Sequence, residues 1–136
     1  MIVDTSALLA FFNAREPDHE AVSAAIADHD DGLLVVSPYV VAELDHLVAT
    51  RISVDAEIAA LNELSSGAWE LAELGAEDLR SASAVIAKYR DQNIGVADAS
   101  IAVLADRYRT KQILTLDRRH FTVLRPIHGG RFSILP

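Results

Sequence analysis

Four carboxylates in this chain stand where one site could gather them: Asp4, Glu43, Asp98 and Asp117. Asp4 ends the apolar run Met1–Val3, and Asp117 ends the run Gln112–Leu116. Glu43 falls two turns into a helix that follows Leu33–Val36, and Asp98 falls in the opening turn of a helix leading to Gln112–Leu116. In open parallel sheets, sites form outside the carboxyl ends of the strands, so these acids from distant parts of the chain converge on one rim. Carboxylates packed together repel and raise one another's proton affinity unless cations neutralise them. Hard divalent ions do this best, since Mg²⁺ and Mn²⁺ prefer carboxylate and water oxygens. Such a site suits phosphate chemistry, in which the ion bridges phosphate oxygens, lowers the pKa of a bound water and stabilises charge on the leaving oxygen.

Each acid also has a plainer reading. Asp4, before Thr5 and Ser6, is placed to cap a first helix, and Asp98 to favour a helix N-terminus through the dipole. Glu43 reads equally as an exposed helix residue, and Asp117 as the start of a turn with Arg118. The five histidines are scattered at positions 19, 29, 46, 120 and 128, with no Cys/His cluster to favour zinc. His120 reads as a packed or solvated side chain rather than a substrate contact.

Short apolar runs and longer helical patterns alternate around these positions. Met1–Val3, Leu33–Val36, Trp69–Leu74, Gln112–Leu116 and Arg131–Leu135 read as strands, mostly without polar alternation, as in parallel sheets covered on both faces. One helix starts near Glu16-Pro17, carries Val22, Ala25 and Ile26, and stops at Asp31-Gly32. Ser37-Pro38 supplies an N-cap and a first-turn proline for a helix bearing Val41, Leu44 and Val48. Ser53 caps another, with Ile58, Leu61 and Leu64 as its stripe and Gly67 beyond its end. Leu79, Ala82, Ile86 and Tyr89 mark a fourth, and Ile94-Gly95 precedes a fifth with Ile101, Leu104 and Tyr108. These stripes read as core, as do Trp69 and Phe121. The alternation predicts a single α/β domain over 1–136, a three-layer α/β/α sandwich around a mostly parallel sheet.

At 136 residues the chain suffices for one core and not two. Its apolar share of 51% and mean hydropathy of +0.20 exclude a disordered acidic tail. Without cysteine it has no disulfide, thiolate chemistry or zinc ribbon. The opening MIVDTSALLAFF lacks a basic flank and meets Asp4 early, so it reads as neither signal peptide nor membrane span, and a cytoplasmic location is expected. The net charge of −8 argues at first against a nucleic-acid partner. Its distribution argues otherwise. Residues 1–78 hold sixteen Asp/Glu and two Arg, a net −14, whereas residues 79–136 hold four Asp/Glu and ten Lys/Arg, a net +6. The basic part (Arg107, Arg109, Lys111, Arg118, Arg119, Arg125, Arg131) allows a phosphate-binding surface on an acidic protein, or a surface paired with the acidic half.

Met1-Ile2-Val3-Asp4-Thr5-Ser6, Val-Val-Ala-Glu-Leu around Glu43, Val-Ala-Asp-Ala-Ser-Ile-Ala around Asp98 and Leu-Thr-Leu-Asp-Arg-Arg-His-Phe around Asp117 resemble the PIN domain. The resemblance covers nearly the whole chain and is nearest to the VapC-type toxins of bacterial type II toxin–antitoxin systems. Each motif is short, but four in order at these separations are specific. The resemblance implies an α/β/α sandwich and a Mg²⁺- or Mn²⁺-dependent endoribonuclease cutting structured RNA such as transfer or ribosomal RNA. It implies Asp4, Glu43, Asp98 and Asp117 as the metal-holding catalytic quartet, with Asp4 and Asp98 the direct ligands, and Ser6 and Thr5 as supports of Asp4. Arg118 and Arg119, directly after the fourth acid, are candidates for RNA phosphate. A homodimer and a cognate VapB antitoxin with a basic, amphipathic tail are the implied partners, and the acidic helices between residues 17 and 65 suit such a tail.

Other readings fit less well. A haloacid-dehalogenase-type phosphatase needs a second aspartate two residues after the first, where this chain has Ser6. A receiver domain needs an acidic pair near the first strand and a late lysine, both missing at the expected places. A PIN-fold RNA-processing nuclease, or a non-enzymatic binding module that uses the acids as caps, remains separable by a Mg²⁺-dependent nuclease assay.

Overall fold

The computed structural model describes residues 1–29 and 32–136. Five short strands, β1 (Ile2–Val3), β2 (Val35–Val36), β3 (Glu70–Leu71), β4 (Gln112–Leu114) and β5 (Ser133–Leu135), form an all-parallel sheet in the order β3-β2-β1-β4-β5. Among the described residues, seven α-helices connect them: α1 (Thr5–Phe12), α2 (His19–Ala27), α3 (Pro38–Arg51), α4 (Val54–Leu64), α5 (Ala76–Lys88), α6 (Val96–Arg107) and α7 (Arg118–Val123). The winding direction reverses at β1, so right-handed crossovers put α1–α4 over one face and α5–α7 over the other. This is the α/β sandwich that the alternation predicts.

The sheet explains why apolar runs are uninterrupted at its centre. Ile2, Val3, Val35, Val36, Ile113 and Leu114 are all buried, facing helices on both sides. The strands are shorter than the runs suggest because only the innermost residues meet neighbours in register. Val35 and Val36 lie between Ile2–Val3 and Glu70–Leu71, leaving Leu33 and Leu34 outside the ladder. Helix α6 is enclosed along Ala99–Ala105, where three alanines permit close approach to its neighbours. Trp69 and Phe121 are buried as expected, with Trp69 stacked edge-on to Phe11 at 5.6 Å. Burying a large side chain of this kind contributes about 1.5–3 kcal/mol.

The helix caps follow the sequence in part. Ser37 and Ser53 accept from the Tyr39 and Ala56 amides, as capping residues should. Helix α2 ends at Ala27, and of the predicted stop, Asp31 lies outside the described residues. Helix α6 ends in a Schellman arrangement. The Thr110 amide donates to Ala105 O at 3.0 Å and the Arg109 amide to Asp106 O at 3.1 Å. Arg109 occupies the left-handed position (φ 50°) that glycine usually takes, at a cost of about 1–2 kcal/mol for a residue with a Cβ.

Three stripes differ from expectation. In α4 the core face is Ala60 and Leu64, whereas Ile58 (53% exposed) and Leu61 (38%) face outward with Val54. In α5 Ala82 is buried and Ile86 and Tyr89 half-buried, but Leu79 is exposed. In α3 Val40 rather than Val41 joins Leu44 and Val48 in the core. Helical spacing identifies an apolar face but not what covers it. Among the described residues, no helix is long and apolar enough to cross a membrane.

Candidate active site

The reversal of winding at β1 opens a crevice between the carboxyl ends of β1 and β4, the place where open parallel sheets bind ligands. Asp4 follows β1 directly, and Asp117 follows β4 by two residues as the N-cap of α7. Asp98 is the third residue of α6, and Glu43 the sixth of α3. All four line one cleft of about 250 Å³, together with Thr5, Ser6, Leu9, Leu47, Arg51 and His120. Helices α3 and α6 are joined beneath it by a buried 2.7 Å hydrogen bond between the Ser37 and Ser100 hydroxyls.

Asp4 is buried, and its carboxylate does not cap α1. Instead Oδ2 accepts from Ser6 Oγ and from Thr115 Oγ1, each at 2.7 Å. Ser6 Oγ in turn accepts from the Leu116 amide at 2.9 Å, and Thr115 Oγ1 from the Asp117 amide at 3.0 Å. Two hydroxyls thereby tie the ends of β1 and β4 together and fix the orientation of Asp4. Thr5 does not take the supporting part expected of it. Its buried Oγ1 has no hydrogen-bond partner among the described residues, and Thr115 supplies the second donor instead.

Asp98 is half-buried, and its proton affinity is pushed up to about 6. Burial is the largest cause, the charges of Asp4 and Asp117 add to it, and His120 and the Gly95 amide oppose it. Its Oδ2 lies 3.4 Å from that amide, so the helix-start reading of Asp98 holds in a weak form beside its place in the cleft. Asp117 also serves twice. Oδ1 accepts from the His120 amide at 3.3 Å, while Oδ2 faces the His120 ring. His120 Nδ1 stands 3.2 Å from both Asp98 Oδ2 and Asp117 Oδ2. The safer reading of His120 as packed or solvated is therefore corrected: it bridges two of the acids on the cleft wall. Its position three residues after Asp117 was the available signal, legible once α7 is known to be a helix.

Arg51 was not singled out from the sequence either. Glu43, Leu47 and Arg51 recur every four residues along α3, so one face of that helix lines the cleft with an acid at one end and a cation at the other. Arg118 and Arg119 are exposed at the start of α7. Arg118 donates to Pro136 O at 2.7 Å, and neither forms an ion pair among the described residues.

The donors suit a hard divalent cation: carboxylate oxygens, an unpartnered buried hydroxyl on Thr5, and no sulfur. Among the described residues no three acids or histidines close into a ready metal cage. Mg²⁺ needs none, since it commonly binds through one or two carboxylates and keeps several waters.

This fold and acidic cleft have known counterparts. The chain belongs to the PIN domain family, whose model matches residues 1–125. Within it, the chain is 65% identical over all 136 residues to Ribonuclease VapC26 of Mycobacterium tuberculosis (strain ATCC 25618 / H37Rv), with 100% of both chains covered, which groups it with the VapC ribonucleases. The structure of Mycobacterium tuberculosis VapC20, described as a sarcin-ricin loop cleaving toxin, matches at a TM-score of 0.85 and 18% identity over 99% of this chain and 98% of that one. VapBC2 from Rickettsia felis, bound to a DNA fragment from its promoter, matches at 0.70 and 15% identity over 99% and 98%. At such identities these structures attest the fold alone.

Proposed function

We propose that the chain is a divalent-metal-dependent endoribonuclease toxin that hydrolyses a phosphodiester bond in structured RNA and is silenced by a VapB-type antitoxin. The observation that carries this reading is the convergence of Asp4, Glu43, Asp98 and Asp117 on one cleft at the β1/β4 crevice. Mg²⁺ or Mn²⁺ bound there supplies charge neutralisation for the phosphate and activation of a water. Asp4 and Asp98 are the holding residues. Asp4 is locked by two hydroxyl donors, and Asp98 is raised in proton affinity, so it has most to gain from a cation. Glu43 and Asp117 bound the opening, and His120 keeps Asp98 and Asp117 apart by lying between them. Arg51 lines the cleft, and the exposed Arg118 and Arg119 follow Asp117 directly, offering positive charge for adjoining phosphates.

The antitoxin surface is assigned to α3 and α4. Val54, Ile58 and Leu61 form an exposed apolar stripe there, beside the acids Asp45, Asp55 and Glu57. Glu57 holds its proton more tightly than usual because it hydrogen-bonds to Asp45, a like-charged neighbour. A basic, amphipathic segment would cover the stripe and relieve that pair. One of the structural counterparts carries the name VapBC2, which agrees with a VapB-type partner. A homodimer belongs to the same reading.

The test is cleavage of RNA by the purified protein with Mg²⁺ or with chelator, beside folded Asp4→Asn and Asp98→Asn variants. Metal-dependent cutting that both variants lose supports the reading, and full activity in either overturns it. Mapping new 5′ ends after induced expression identifies the target: one loop of one stable RNA marks a toxin, and scattered cuts a general processing nuclease.

A further inference from the structure

Arg107, Arg109 and Lys111 belong to the basic stretch of the sequence but lie away from the acidic cleft. They line a separate cavity of about 630 Å³ where α6 ends and β4 begins, with Asp106, Pro126 and His128 among its other walls. Asp98 lines the acidic cleft near the start of α6, and Arg107 closes the helix nine residues later, roughly 14 Å along its axis. The two concavities sit at opposite ends of the same helix.

We propose that this cavity is a second site for RNA, holding a backbone phosphate of the molecule whose scissile bond lies in the acidic cleft; the proposal rests on the ribonuclease reading above. Arg109 carries it furthest. It occupies the left-handed position of a Schellman helix stop, where glycine is the favoured residue, so the chain tolerates backbone strain to keep a guanidinium at this point. Arg107 is committed to Asp78 and to the Glu73 carbonyl, but neither Arg109 nor Lys111 forms an ion pair among the described residues. Two uncommitted cations side by side are notable in a protein with twenty acids. The acid in the lining, Asp106, is faced by His128 at 3.0 Å.

Gly129, which lines the cavity, and Gly130 both have positive φ, and Lys111 Nζ lies close to Gly130, within 2.8 Å of where a Cβ would stand. Among the described residues, no Phe, Tyr or Trp lines the cavity, and its one aromatic ring, His128, is engaged with Asp106. Arg109 and Lys111 instead present the donors that phosphate oxygens accept. An RNA touching both concavities must span the length of α6, which favours a folded stem over a dinucleotide.

The experiment compares the wild-type protein with Arg109→Gly/Lys111→Gln in chelator, titrating a labelled RNA hairpin with a stem of about 16 base pairs across a salt series. Glycine suits φ 50°, so the variant loses charge without backbone strain; a thermal melt confirms its fold. The expected result is about tenfold weaker binding of the hairpin and a salt slope smaller by about 1.5, as for two lost phosphate contacts. Mg²⁺-dependent cleavage of a short oligonucleotide stays at the wild-type rate, and Arg109→Lys/Lys111→Arg retains hairpin binding. Unchanged hairpin affinity and slope overturn the site, as does competition by polyglutamate equal to that by RNA at the same charge concentration. A wild-type protein that cleaves no RNA overturns the ribonuclease reading instead.

Discussion

Thr115 donates a 2.7 Å hydrogen bond to Oδ2 of Asp4 across 111 residues of sequence, joining the end of β4 to the end of β1. The same hydroxyl accepts the Asp117 amide, so one side chain orients one acid and the backbone of another. Replacing it with the isosteric valine leaves a buried carboxylate oxygen with one donor and an amide with none. Thr115→Val is expected to lower unfolding free energy by about 1–3 kcal/mol in urea titrations. Metal-dependent RNA cleavage should fall about 10–100-fold, the usual effect of losing an outer partner of a metal-holding group. Full activity in a folded Thr115→Val protein would show that Asp4 needs only Ser6.

Asp98 makes the site sensitive to pH. Its folded pKa, raised to about 6 chiefly by burial, lies above the ordinary value of 3.8, so the folded protein binds the proton more tightly than the unfolded chain. In the absence of metal, stability therefore falls as pH rises from about 4 to about 6, and levels off above. Asp98→Asn should abolish that part of the slope in chelator. Because a cation must displace this proton, Mn²⁺ affinity measured by calorimetry should weaken by about tenfold per pH unit below 6. A pH-independent Mn²⁺ affinity between 4.5 and 7 would exclude Asp98 as a ligand.

The exposed stripe of α4 separates stability from partner binding. Ile58→Ser/Leu61→Ser removes apolar surface that already faces water, so the unfolding free energy should change by less than about 1 kcal/mol. Affinity for the proposed VapB-type antitoxin should weaken at least about tenfold, since burial of each side chain in an interface is worth roughly 1.5–3 kcal/mol. Undiminished binding by surface plasmon resonance would move the antitoxin elsewhere.

Arg109→Gly alone relieves the left-handed backbone at the end of α6. Part of the gain is offset by the greater freedom of glycine in the unfolded chain. The net expectation is a protein about 0.5–1 kcal/mol more stable in urea. A destabilised Arg109→Gly would mean that the guanidinium holds the fold.

Much of the architecture was legible because the central strands are uniformly apolar and end on acids. Asp4 and Asp117 each close such a run, and parallel strands necessarily carry such ends to one rim. Asp98 and Glu43 were legible as positions on helices whose starts are marked by Gly95 and by Ser37-Pro38. Helix α7 was not, because six residues give too little periodicity to separate a helix from a turn, and His120 was hidden with it. Thr115 was hidden for another reason: a threonine inside Leu-Thr-Leu reads as a strand former, and only the pairing of β1 with β4 brings it to Asp4. The stripes of α4 and α5 misled because spacing reports that a face is apolar, while exposure depends on what the rest of the fold places over it.

The central position of β1 has a consequence for synthesis. Asp4 emerges ahead of its strand partner β4 and its donor Thr115, which are made more than a hundred residues later. A nascent or truncated chain lacking β4 therefore lacks Asp117 and the hydroxyl that orients Asp4. A chain able to attack the RNA around it would assemble its own means of doing so only once β4 and α7 have been made.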